Sequence, residues 1–311
     1  MSGRSGNPAW RGSRTLLASG AGARCQGRGR QEKAHQQIET VKAIYLYALE
    51  SNFRDRMGIA LPVREALEMT EGIEGDQWAQ NEFGGAQLGN ERLSQRLVES
   101  ARVQAEMPGE SFSAAAQGNR PLVKGYYRMI DKPDDCAITM SAILAPHRER
   151  TLQRMLGQQT VLCIQDGTDL NYNSLAQCEG LGVMGTNQTG AQSRGLHLHS
   201  TLVVTTDGLP LGLLGAQCEA PEGKKEAPEE EEKVSSSKKP IEERKNFCWI
   251  ESLRDSNVLA TEMPSIRQVC TLDREADFFE LFNEPRHPQV EVLVRAKHNR
   301  LINGRYKLFD T

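Results

Sequence analysis

Two short apolar runs, each closed by an aspartate, constrain this chain more than any other feature. The first is Val161-Leu162-Cys163-Ile164-Gln165-Asp166. The second is Val269-Cys270-Thr271-Leu272-Asp273, followed at once by Arg274-Glu275-Ala276-Asp277. Runs this short and apolar read as buried strands, each delivering a carboxylate at its C-terminal end. If the strands are neighbours, the carboxylates are placed to share a divalent metal, an arrangement that activates water or a hydroxyl against a phosphodiester. Each aspartate also has a blander reading. Asp166 alone suits a turn, and Asp273 alone suits the cap of a following helix, with Glu275 and Asp277 favoured by the helix dipole.

The rest of the chain frames these runs. At 38% hydrophobic and 25% charged residues it reads as a soluble globular protein. No apolar run approaches the roughly 18 residues of a membrane span. The seven cysteines include no C-x-x-C pair, and Cys163 and Cys270 lie inside the apolar runs. That usage predicts reduced thiols, a cytoplasmic location and no zinc site. A net charge of -3 gives no global basic signature for nucleic acid, but the charges are strongly segregated. Residues 1–75 open with a Gly-, Arg- and Ser-rich stretch that cannot bury a core, and they are expected to be disordered or poorly defined.

From Trp78 the pattern becomes helical. Gly89-Asn90 reads as a stop and an N-cap, after which Leu93, Leu97, Ala101 and Ala105 recur every four residues. Ser111 is placed to cap a short helix ending before Gly118. A further helix is expected from Pro121 through Tyr126, Tyr127 and Arg128. Lys132-Pro133-Asp134-Asp135 restarts the chain for a helix to about Leu156, kinked near Pro146. Residues 76–156 therefore read as a helical subdomain.

Beyond it, strand patterns return. A Gly- and Asn-rich loop is expected after Asp166. Asp207-Gly208 sits between two apolar runs as a hairpin turn. Residues 219–239 are low-complexity and charged, hence a disordered loop. Helices are expected from Ile241 to about Leu259 and around Phe278, Phe279 and Leu281, and a strand over Val290–Val294. The order strand, hairpin, helix, strand, helix, strand predicts an α/β fold. Its core, over residues 157–311, is a mixed sheet of RNase H-like order preceded by the small helical subdomain, to which the resemblance given below adds DNA binding.

Other chemistry-bearing residues are weaker signals. His197 and His199, two apart, face the same way in a strand, but no third metal ligand of suitable spacing follows. A structural or substrate-contact role is therefore expected for them. Arg295, Lys297, His298 and Arg300 follow a strand and form a natural phosphate clamp beside a carboxylate–metal site. Arg92, Arg96 and Arg102 recur along the first clear helix.

The string Asp273-Arg274-Glu275-Ala276-Asp277 after an apolar strand resembles the signature of bacterial insertion-sequence transposases. The branch it resembles is the insertion-sequence-four family, which includes the transposon-five transposase. The resemblance runs from about residue 76 onward. It takes in Trp78-Ala79, Leu88-Gly89-Asn90-Glu91-Arg92, Arg96-Leu97, Pro108-Gly109-Glu110-Ser111 and Gly125-Tyr126-Tyr127-Arg128. It continues through Ile164 to Tyr172, His199-Ser200 and Val294-Arg295-Ala296-Lys297-His298. The resemblance implies a DDE-type transposase with two magnesium or manganese ions held by two aspartates and a glutamate. Asp166 and Asp273 match the aspartates as catalytic and metal-binding residues. Arg92, Arg96, Tyr127, Arg128, Arg295 and Lys297 are the implied DNA contacts. The implied partners are double-stranded DNA at transposon ends and target, and a second copy in a synaptic homodimer, at the bacterial nucleoid. No membrane partner is implied. The family's glutamate lies far beyond its second aspartate. On that comparison the chain is expected to be truncated and inactive alone, or to act as a non-catalytic DNA-binding fragment competing with an intact relative.

Overall fold

A computed structural model describes residues 77–108, 110–132, 136–173, 180–186, 192–221, 240–302, 304 and 306–310. The expectations for residues 1–75 and for most of the charged loop, from residue 222 on, lie outside the described residues. The chain divides into two compact units. One holds the helical region through Ile143 together with residues 172–181; the other holds 144–171 and 182 onward.

The helical unit contains α1 (Trp78–Phe83), α2 (Glu91–Glu106), α3 (Phe112–Ala115) and α4 (Arg120–Ile130). Gly89 takes a φ of 89° ahead of α2, a turn that a side chain rarely adopts. Asn90 Oδ1 then accepts the Leu93 N–H at 3.1 Å and satisfies one of the unpaired donors at the helix start. Ser111 caps α3 in the same way. The apolar faces meet in a core of Phe83, Leu88, Leu97, Ala101, Leu122, Met129 and Ile130. The rings of Phe112 and Tyr126 stack with centroids 3.8 Å apart. Each large side chain buried here stabilises the unit by roughly 1.5–3 kcal/mol.

Two helix starts differ from expectation. The fourth helix begins at Arg120, because Asn119 Oδ1 accepts the Leu122 N–H at 3.1 Å and so fixes the cap. Pro121 then falls within the first turn, where its missing donor costs nothing. The next helix, α5 (Met140–Met155), starts several residues later than Lys132–Asp135 implied. Thr139 Oγ1 supplies its cap by accepting the Ala142 N–H at 3.0 Å. The helix passes through Pro146 without ending.

The second unit is built on β1 (Thr160–Asn171), β2 (Gly182–Thr186), β3 (Gln192–Thr205), β4 (Pro210–Glu219), β5 (Arg267–Leu272) and β6 (Val290–Val294). Central β1 runs antiparallel to β3 and parallel to β5, and β5 runs parallel to β6. On the side of β3 away from β1, β2 and β4 pair with successive stretches of it. The β3–β4 hairpin turns at Asp207-Gly208, with Gly208 at φ 88°. Helix α6 (Phe247–Glu262) covers one face. Trp249, Ile250, Leu253 and Leu259 pack there with Val161, Cys163, Val203, Cys270 and Leu272. The result is an α/β fold, a mixed sheet preceded along the chain by a helical region, and the strand order fits the RNase H-like core.

Several details depart from the sequence reading. Strand β1 does not stop at Asp166, because its antiparallel ladder with β3 continues to Asn171 opposite Gly195. Part of the Gly- and Asn-rich loop is strand β2, held as an outer partner of β3. Glu219 closes β4 rather than opening the charged loop. The helix expected from Ile241 is broken into a 3-10 turn, Ile241–Glu243, and α6. A second 3-10 turn, Arg274–Ala276, precedes the short α7 (Phe279–Asn283), where Leu281 is buried but Phe279 points outward. The chain continues through β7 (Leu301–Ile302) and β8 (Tyr306–Lys307). Among the described residues, no helix is long and apolar enough to cross a membrane.

Candidate nucleic-acid interface and candidate metal-binding carboxylates

In the helical unit, a groove of about 410 Å³ is lined by Arg96, Arg120, Pro121, Lys124, Gly125 and Arg128. Arg120, Lys124 and Arg128 stand four residues apart along α4, so they form one stripe opposite the buried Leu122, Tyr126 and Met129. Arg96 reaches this stripe from α2 across Gly125. A Cβ at residue 125 would lie 2.5 Å from the guanidinium carbon of Arg96. Glu99 Oε2 offsets part of the Arg96 charge at 3.1 Å. The net field still favours a polyanion.

The structure thus brings together two of the expected DNA contacts, Arg96 and Arg128. It adds Arg120 and Lys124, which the sequence reading missed although their spacing of four was visible. Arg92 is exposed on α2 one turn before Arg96. Tyr127 is half-buried and meets the Tyr126 ring edge-on at 5.4 Å.

In the sheet unit, Ile164 and Thr271 are the last register partners of the parallel β1–β5 pair. Asp166 and Asp273 each lie two residues further on, so they stand level on neighbouring chains and on one face. Asp273 keeps an extended backbone, with φ -81° and ψ -168°. Asp166 is exposed, and partial desolvation is the main influence raising its carboxyl above the ordinary value. The charges of Asp273 and Glu275 add to it, while the Gly167 N–H and His197 act against it. The two carboxylates therefore share one field. Asp273 also performs the capping expected of it in isolation: its Oδ1 accepts the Glu275 N–H at 2.7 Å. The donor set suits a hard ion such as magnesium or manganese, which takes carboxylate oxygens. Among the described residues, no third His, Cys or carboxylate joins this pair in a mutually close ligand cluster.

Asp277, the last residue of the DREAD string, has a separate task. Its buried carboxylate accepts the N–H groups of Lys297 at 2.6 Å and His298 at 2.9 Å, and pairs with the Arg300 guanidinium. Burial alone would raise its pKa, but these donors outweigh it and hold the carboxyl below its usual range. The segment carrying Arg295 and Lys297 is thereby fixed beside the turn that follows Asp273. Both side chains are exposed. This anchoring role was not anticipated, because twenty residues separate the partners.

The histidine pair gains a neighbour that spacing along the chain did not show. Ligand atoms of His197, His199 and Cys248 lie within 4.8 Å of one another, all three residues being buried. Cys248 comes from the first turn of α6, so the packing of α6 on β3 supplies a third candidate ligand that spacing along the chain could not show.

Residues 75–134 match the family model for a transposase DNA-binding domain. The match covers the helices that carry Arg96, Arg120, Lys124 and Arg128. It supports a transposase-related role in DNA binding.

Proposed function

We propose that the chain is a DDE-type transposase of the insertion-sequence-four kind, binding transposon ends through its helical unit and carrying the aspartates of a two-metal site in its sheet unit. The β1–β5 register carries this reading: it sets Asp166 and Asp273 level on one face, in a chain whose helical region matches a transposase DNA-binding domain. Asp166 and Asp273 would hold magnesium or manganese, which supplies an activated water nucleophile and offsets charge on a phosphodiester. The chain's own contribution is positional. The parallel ladder ends two residues before each carboxylate and sets the register from which both chains emerge. Asp277 steadies the basic segment, so that Arg295 and Lys297 can meet the phosphates of a DNA end. The basic groove of the helical unit holds duplex DNA. Two carboxylates alone would hold a metal pair weakly, so we expect weak cleavage and little strand transfer.

A second reading is a DNA-binding module without catalysis, favoured by the capping bond from Asp273 to Glu275. One experiment separates the two. The purified chain is incubated with transposon-end duplex and manganese, and nicking is measured beside Asp166→Ala and Asp273→Ala. Weak nicking lost in both variants supports the transposase reading. Duplex binding with no nicking supports the second, and nicking retained in both variants rejects the assignment of Asp166 and Asp273. Absence of binding to any duplex rejects both.

A further inference from the structure

We propose that His197, His199 and Cys248 form a binding site for a borderline-soft divalent metal, zinc by donor chemistry, that fastens β3 to α6 and is distinct from the carboxylate pair. Two imidazoles and a thiolate are the ligands that zinc selects, whereas Asp166 and Asp273 offer only hard oxygens. The two sets also face opposite ways. His199 and His197 are register partners of Gly167 and Asp169, which alternate with Asp166 across β1. Tetrahedral zinc, with bonds of about 2.0–2.3 Å, holds its donors roughly 3.3–3.8 Å apart. The observed ceiling of 4.8 Å therefore needs only a small inward rotation of the side chains.

Three observations point to a ligand here and not to an ordinary buried histidine. First, His199 is 1% exposed, yet neither ring nitrogen has a hydrogen-bond partner. An imidazole so placed is normally paired. Its ring is held edge-on against Trp249, with centroids 4.5 Å apart, so its direction is fixed. Second, His197 already has the outer partner typical of a metal-bound histidine: Nδ1 lies 2.8 Å from Asp169 Oδ1, which leaves Nε2 for a metal. Third, both rings close over Gly167, an approach that a side chain there would block, with His197 Cε1 only 2.9 Å from where a Cβ would stand. A Cβ there would stand 3.2 Å from His197 Nε2 and 4.0 Å from His199 Nδ1.

In the metal-free protein, Cys248 Sγ donates to the Lys245 carbonyl at 3.4 Å. Metal binding breaks the Cys248 S–H bond, forms a metal–sulfur bond and releases one proton to solvent. No redox partner is required. The fourth coordination position is left to water.

The test uses the full chain, stripped of metal and titrated with cobalt, whose bond to a thiolate gives a near-ultraviolet charge-transfer band. One cobalt per chain with that band is expected, displaced by zinc. Cys248→Ser should abolish the band, and Cys136→Ser should retain it. Circular dichroism checks that the variants fold. Should Cys248→Ser not fold, Asp169→Asn at the exposed edge decides, with a 10- to 100-fold weaker zinc affinity expected. Absence of the band in the parent chain overturns the site. So does its full retention in Cys248→Ser, or an unchanged zinc affinity in Asp169→Asn.

Discussion

The Asp277 carboxylate accepts the backbone N–H of Lys297 at 2.6 Å, and so ties the end of the DREAD string to the basic segment after β6. Asp277→Ala removes the side-chain acceptor for Lys297, His298 and Arg300 together, leaving Arg300 only its bond to the Asp277 carbonyl at 2.8 Å. Loss of a buried charge-assisted cluster of this kind should lower stability by about 3 kcal/mol, read from urea denaturation. The Asp277 carboxyl is held below its usual range. Its contribution is thus present above the unfolded value of about 3.9 and is lost as pH falls through the lower folded value. An acid titration of Asp277→Asn should show a shallower loss below about pH 4 than the parent.

Asp166 has the opposite sign. Partial desolvation and the neighbouring acids raise its folded pKa. Any stability it contributes is present below the unfolded value and fades as pH rises through the folded one. Asp166→Asn should therefore keep or raise the melting temperature at neutral pH. A clear fall in melting temperature would mean that Asp166 carries a structural bond and would weaken its assignment as a metal ligand.

In the helical unit, Arg120→Ala and Arg128→Ala should weaken duplex binding without loss of helicity. Each should reduce the slope of log affinity against log salt by about 0.9 if it removes one phosphate contact. Fluorescence anisotropy over a salt series measures this. A slope unchanged in both variants would place the DNA elsewhere.

Gly125→Ala offers a finer probe. The change favours the helix by about 1 kcal/mol. Its Cβ, however, would lie 2.5 Å from the Arg96 guanidinium, which must move. Thermal stability should hold while duplex affinity falls, a split that simple unfolding does not produce.

Gly212 in β4 is less forgiving. Its φ is 135°, and a Cβ there would stand 2.2 Å from Thr151 Oγ1 on α5. Gly212→Ala should destabilise the sheet unit by at least about 2 kcal/mol, seen as an earlier urea midpoint.

What was legible in the sequence was local. The caps at Asn90 and Ser111 and the turn at Asp207-Gly208 each depend on residues within four positions, and pattern alone finds them. The strand pair bearing Asp166 and Asp273 was legible because buried strands need continuous apolar runs. The remainder depended on partners far apart in the chain. Cys248 meets His199 only after α6 folds onto β3. Asp277 finds its donors twenty residues on. Strand β2 has too little apolar character to announce itself, and forms because β3 offers it an edge. Helix α4 began one residue early because a capping oxygen outweighed the proline.

Beyond Ile164, β1 loses its neighbour β5 and is laddered to β3 alone. Backbone supported from one side opens more readily than backbone held from two. Amides of residues 166–171 should then exchange with solvent sooner than those of 161–164. One aspartate thus rides on the compliant reach of its strand, while the other is pinned by its own turn. Any adjustment in the separation of the two carboxylates would fall to the first.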